Sequence, residues 1–123
     1  MAWTVVFDDA FDPEFQKLAE AVQDALLASA KLLAEYGPGL GRPHVDTLAG
    51  SVHANMKELR FDAAGGAWRI AFAFDPRRSA IILIAGDKAG VSSKRFYRSL
   101  IAKADKRYSA HIARLDKQKK GTT

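Results

Sequence analysis

The sequence contains no cysteine. That excludes a disulfide framework, a thiolate nucleophile and any cysteine-ligated zinc. Long apolar runs are also missing: none reaches the roughly 18 residues needed to span a bilayer, so no membrane association is expected. The opening MAWTVVFDDAFD is acidic and lacks a basic n-region, so no secretory leader is expected, and a reducing cytoplasm suits a chain without thiols. Metal-binding side chains are sparse. Asp8 and Asp9 are adjacent at a strand end, where neighbouring side chains point apart, and no third ligand is evident. Neither a metal nor a cofactor is expected.

Acidic charge thins out along the chain. Residues 1–36 carry two basic and seven acidic side chains, residues 37–86 six and four, and residues 87–123 eleven and three. A small domain polarised in this way is expected to present a basic face to a polyanion. A solvated basic helix with a lysine-rich tail would give the same count.

At 123 residues the length suits one domain, with a core large enough to need no staples. WTVVF, residues 3–7, reads as a strand. Asp12 and Pro13 read as an N-cap and first helical residue. Phe15, Leu18, Ala19, Val22, Leu26 and Leu33 then mark one helical stripe that ends at Gly37-Pro38. Residues 44–53 give only a weak pattern, a short helix or an irregular connection. MKELRF, AWRIAFAF and SAIILIAGD read as three strands joined by the turns DAAGG and DPRR. Residues 93–118 read as a long helix lined by Phe96, Leu100, Ile101, Ala104, Tyr108, Ile112 and Leu115. The expectation is an α+β fold: an antiparallel meander of about four strands, an N-terminal helix or helices on one face, and a long C-terminal helix. One domain over 1–118 is expected, with a disordered basic tail at 119–123.

Alternation along the strands places Leu59, Phe61, Trp68 and Ile70 on one face. Arg60 and Arg69 share the other face, directly opposite each other with the longer hairpin loop. Like charges so placed repel. Across the next turn Phe72 is expected beside Ile81 and Leu83, with Ile82, Ile84, Gly86 and Lys88 on the arginine face. Arg60, Arg69 and Lys88 would then converge over a low floor of Ala71, Ala73 and Gly86, a shallow site suited to phosphate. Glu58 and Asp62 on the same face offer the other reading, ordinary cross-strand neutralisation.

ELR on one strand, WRIAFAFDPRR on the next, IILIAGDK, and KRFY opening the last helix together resemble the RelE/ParE superfamily of bacterial toxins. GRPHVDTLAGSVHANMKELR resembles its phage-derived, HigB-like branch. The resemblance implies a toxin of a type II toxin–antitoxin system, held by a cognate helix-turn-helix antitoxin. It also implies a ribosome-dependent endoribonuclease (mRNA interferase) that cuts messenger RNA by attack of a ribose 2′-OH on the adjacent phosphodiester, without metal. Such chemistry needs a base, an acid and cations around the phosphorane.

Carried onto this chain, the resemblance makes Arg69, Lys88, Arg60 and Tyr97 the catalytic candidates, with Arg69→Ala expected to abolish cutting and spare the fold. Lys88 as a base would need its pKa lowered from about 10.4. Lys57, Lys94, Arg95 and Arg98 are RNA-binding candidates, although strand parity puts Lys57 with Leu59. His53 and Glu58 are candidates for acid or base, though neither obviously fills the role; His44 and His111 read as structural. Two other functions compete: a ParE-like inhibitor that binds DNA gyrase without catalysis, and an inactive basic RNA-binding module.

Overall fold

The computed structural model describes residues 2–121. Its elements are β1 (Thr4–Phe7), α1 (Asp12–Gln16), α2 (Glu20–Tyr36), a 3-10 turn (Gly37–Gly39), β2 (Val45–Thr47), β3 (Met56–Ala63), β4 (Gly66–Phe74), β5 (Ser79–Asp87) and α3 (Ser93–Gly121). The strands form one sheet in the order β1-β5-β4-β3-β2. The meander β3-β4-β5 is antiparallel, β2 extends it on one edge, and β1 joins β5 in parallel on the other.

Two helical layers cover the sheet. Phe15 of α1 and Leu26 and Leu33 of α2 pack on Leu59, Ile70, Phe72 and Ile82. Phe96, Leu100, Ala104 and Tyr108 of α3 pack on the other face, against Ala71, Ala73, Ile81 and Leu83. Each face of an alternating strand is apolar here, so each needs a cover of its own.

Several local expectations need correction. The expected N-terminal helix or helices prove to be two, and the single apolar stripe runs through the break between them. Ala19 is extended at ψ 145°, and the Gln23 side-chain amide donates to the Phe15 carbonyl at 2.8 Å, closing the end of α1. An apolar stripe reads the same through such a break, because periodicity does not report it. Asp12 lies inside α1, and the residue before the helix is Phe11, with no side-chain cap. The Asp8 carbonyl instead accepts from the N–H groups of Phe11 and Asp12. Residues 45–47, unassigned in the sequence, form β2, with Val45 opposite Leu59 and Asp46 opposite Glu58. Three residues are too few to show a period of two. At the other end α3 continues to Gly121, beyond residue 118, and Thr122 and Thr123 of the expected tail lie outside the described residues.

The turns follow their chemistry. Ala64 and Gly65 both have positive φ (51° and 76°), giving a two-residue hairpin turn whose twist matches the strands. It fixes the register that sets Arg60 opposite Arg69. Asp75 organises the next turn: one carboxylate oxygen accepts from the N–H groups of Arg77 and Ser79, and the other bonds His111 at 2.9 Å.

A β-bulge changes the parity of β5. Ala71 pairs with Ile84 but Phe72 pairs with Ile82, so Leu83 is the extra residue. Ile84 and Gly86 therefore lie where alternation puts them, whereas Ile81 and Leu83, expected beside Phe72, belong to the α3 side. The bulge leaves the Leu83 carbonyl to find another partner. Arg107 of α3 donates to it at 2.7 Å and holds Glu14 of α1 with both terminal nitrogens. That bond also holds the Glu14 carboxyl below its ordinary pKa. Arg107→Ala is expected to cost about 2 kcal/mol in urea denaturation, the range for a hydrogen bond from a charged donor plus an abandoned carbonyl. Lys at this position is expected to recover only part of the loss, since it has no planar fork.

Candidate active site

The small residues of the arginine face hold a helix, not a ligand. Ala71 and Ala73 are fully buried. A Cβ on Gly86 would come within 2.9 Å of the Phe96 ring, so glycine there admits α3. The open cationic floor expected from the sequence is therefore covered, and Arg69 lies beneath α3 with only 9% of its surface exposed.

Each of the facing arginines has its own carboxylate. Arg69 Nε lies 3.7 Å from Glu58 Oε1, and its Nη1 donates to the Trp68 carbonyl at 2.9 Å. The Nε atom is buried without a hydrogen-bond partner, so its attraction to Glu58 is electrostatic. Arg60 Nη1 lies 3.8 Å from Asp46 Oδ2, which also holds Arg42 at 3.0 Å. Glu58 neutralises as the second sequence reading allowed, whereas Asp62 is exposed and takes no part in an ion pair among the described residues.

Beside this ladder of charges a cleft of about 360 Å³ opens between the β2–β3 edge and α3, lined by Asp46, Thr47, Leu48, Ala49, Glu58, Arg60, Tyr97 and Ile101. Tyr97 Oη donates to Glu58 Oε1 at 2.9 Å from one turn inside α3. Burial pushes the Glu58 carboxyl above its ordinary pKa of 4.5, against the pull of the Tyr97 hydroxyl, Arg60 and Arg69. Burial, and then the bond to Glu58, push the Tyr97 hydroxyl up as well. The Thr47 N–H and, behind it, Arg42 hold Asp46 low. The cleft thus combines a carboxylate of raised basicity, a phenolic proton donor and a half-exposed guanidinium. That set can take a proton, return one and bind a phosphate.

The other candidates divide. Lys88 follows β5, with Nζ 5.6 Å from the centroid of the Tyr97 ring, and does not line the cleft itself. Lys94, Arg95 and Arg98 are exposed on the first turns of α3. At about 100° per residue, Lys94 and Arg98 fall on the flank of Tyr97 and Ile101, and Arg95 on the other flank. Lys57 sits opposite Thr47 with its parity on the α2 side, away from Glu58 and Arg60. His53 Nε2 bonds Ser109 at 2.9 Å and its ring meets Tyr108 edge-on, so it ties the β2–β3 connection to α3 outside the cleft. His111 is structural, on Asp75. Asp8 is buried and bonded to Arg114 at 3.2 Å. Sequence reading missed Asp46, because β2 was not recognisable, and with it the cleft's outer wall.

Residues 13–109 match the family model described as phage derived protein Gp49-like. Two toxin candidates of Mycobacterium tuberculosis are similar. HigB2 is 45% identical over 97 residues, covering 78% of this chain and 48% of that protein, so the chain spans about half its length. HigB3 is 55% identical over 82 residues, 67% of this chain and 69% of that protein. Among solved structures, a double arginine mutant of the E. coli toxin RelE in the free state superposes with a TM-score of 0.60 at 16% identity, over 84% of this chain and 97% of that one. At that identity the likeness is one of fold.

Proposed function

The chain belongs to the phage-derived Gp49-like family, and from that premise we propose that it is the toxin of a type II toxin–antitoxin pair, an endoribonuclease that cuts messenger RNA on the ribosome in the cytoplasm. A cognate helix-turn-helix antitoxin is its partner in this reading. The observation that carries the chemistry is the Tyr97–Glu58 hydrogen bond at the floor of a cleft rimmed by Arg60.

Glu58 takes the proton of the ribose 2′-OH, and the 2′-oxygen forms a bond to phosphorus. Arg60 offsets the charge that builds on the phosphorane; doing so in a site partly shielded from water makes the contact count for more than in bulk solvent. The bond from phosphorus to the 5′-oxygen breaks, and that oxygen takes the Tyr97 hydroxyl proton. The products are a 2′,3′-cyclic phosphate and a 5′-hydroxyl. The proton on Glu58 then passes to Tyr97 along their hydrogen bond, which resets the site. Lys88 over the Tyr97 ring favours the transient phenolate. Arg69 does not touch RNA in this scheme; it positions Glu58 and supplies its buried countercharge. Lys94 and Arg98 flank the cleft and guide the RNA backbone, while Lys57 has no role in it.

Primer extension on mRNA from expressing cells tests the proposal. Cuts within codons at the ribosomal A site are expected. Intact mRNA together with gyrase-dependent DNA breaks would instead mark a ParE-like inhibitor.

A further inference from the structure

The two edges of the sheet differ. β2, at one edge, carries Asp46, already paired with Arg42. β1, at the other, reads Thr4-Val5-Val6-Phe7, with neither charge nor proline. An edge of that kind is open to pairing with another strand. The Asp8 N–H donates to the Ile82 carbonyl of β5 at 2.8 Å. Backbone groups of alternate residues point to opposite sides of a strand. Those of Thr4 and Val6 therefore also turn to β5, and those of Trp3, Val5 and Phe7 turn outward. The Trp3 N–H is taken by the Ala34 carbonyl at 2.7 Å, whereas Val5 and Phe7 have no such bond among the described residues.

Both sides of this edge are apolar. Val6 is exposed on the α3 side, beside Ile81 and Leu115. On the other side lies α2, antiparallel to β1. Ala34 near its end meets Trp3, and Gln23 near its start reaches Phe15, whose ring packs on Phe7. With Gln23 as reference and about 100° per residue, Leu27, Ala30 and Ala34 share its flank within an arc of about 60°. Leu27 is exposed there. Lys31 and Asp24 come next, at about 80–100°. Both are exposed, and neither joins an ion pair among the described residues.

We propose that β1 pairs antiparallel with β1 of a second copy of this chain, about a two-fold axis at Val6, so that one sheet runs through both copies. In that register Val5 of each copy exchanges both backbone bonds with Phe7 of the other, and the outward groups of both residues are satisfied. The two Val6 side chains meet in the intervening non-hydrogen-bonded pair, where cross-strand side chains lie closest. The same axis suits the helices. From Trp3 to Val6 the strand rises about 10 Å, which α2 covers in roughly seven residues, so Leu27 lies level with Val6. Asp24 and Lys31 stand on either side of that level. The axis therefore sets Asp24 of one copy against Lys31 of the other, and the reverse, while the alanines let the two helices approach. Strand register, apolar flank and charge order are self-complementary about one axis, as an isologous interface requires. An unrelated strand would account for the free edge alone. The Glu58 cleft lies by the opposite edge of the sheet, so both clefts stay open, and the dimer stands whether or not they cut RNA.

Analytical ultracentrifugation of the full chain tests the pairing. The wild type is expected to dimerise with a Kd on the order of 10 µM, in keeping with a small interface. Val6→Lys, which places at the edge the residue that natural edge strands use to block pairing, is expected to weaken the dimer at least about tenfold. Leu27→Glu is expected to do the same, and circular dichroism checks both folds. Asp24→Lys is expected to weaken it by like-charge repulsion, and the double variant Asp24→Lys, Lys31→Asp to restore it. Glu58→Gln is expected to match the wild type. Amide hydrogen exchange at Val5 and Phe7 is expected to slow as protein concentration rises. Three outcomes overturn the proposal. One is a wild type still monomeric at about 200 µM. Another is a dimer indifferent to both Val6→Lys and Leu27→Glu, which would use a different face. The third is protection of Val5 and Phe7 that depends on an added antitoxin and not on the concentration of the chain, which would give the edge to that protein.

Discussion

Glu58→Gln lowers the rate of mRNA cleavage by about 10²- to 10⁴-fold, the range for removal of a general base. The amide keeps the shape of the carboxylate and can still accept from Tyr97, so binding and fold are retained while the basic oxygen is lost. The wild type is expected to carry a pH signature of the same group. In the proposed reaction Glu58 acts as its anion, and burial raises its pKa above 4.5. The rate therefore climbs with pH through a midpoint above 4.5, and Glu58→Gln removes that limb. Single-turnover cleavage on programmed ribosomes from pH 5 to 8 measures both effects. An acid limb that persists unchanged in the glutamine variant would assign it to another group.

Arg69→Met destabilises the protein by about 3 kcal/mol at neutral pH, the range for removing one partner of a buried ion pair. The Glu58 side chain beside it is only 7% exposed, so the abandoned charge has little water to turn to. The loss depends on pH. Without the guanidinium the native pKa of Glu58 rises further, away from its unfolded value. A carboxyl with a raised native pKa costs nothing below the unfolded pKa, where both states are protonated, and the cost grows as pH rises through the native pKa. The variant is thus expected to lie nearer the wild type at pH 4 than at pH 8 in urea denaturation. The acid limb of any remaining activity is expected to move to higher pH. A destabilisation independent of pH would mean that Arg69 acts by packing alone. In either case the expectation that Arg69→Ala spares the fold gives way to the residue's burial.

The elements with long, clean alternation were legible in the sequence. MKELRF and AWRIAFAF gave β3 and β4, their faces and the opposition of Arg60 and Arg69, because a period of two over six or more residues has one interpretation. The ladder was legible; its lid was not. Alanine and glycine at positions 71, 73 and 86 suit a ligand floor and a helix seat equally. The signal that decides between them was present elsewhere: the stripe Phe96, Leu100, Ala104 and Tyr108 needs an apolar face, and α1 and α2 already occupy one side of the sheet. The bulge at Leu83 and the strand at Val45–Thr47 left no local trace, since both arise from pairing with neighbours rather than from their own residues. That is why Tyr97, Glu58 and Arg60 could be named as candidates while the cleft that unites them, and the burial of Arg69, came only with the packing of α3.

The central claim is that the cleft delivers a ribose 2′-oxygen to the neighbouring phosphorus. It is tested most directly with an mRNA carrying a single 2′-deoxy residue at the cleaved position, presented on ribosomes and followed by primer extension. The account predicts that cutting at that bond disappears while the all-ribose message is cut to leave a 5′-hydroxyl end. Cutting of the deoxy message at the normal rate would contradict it.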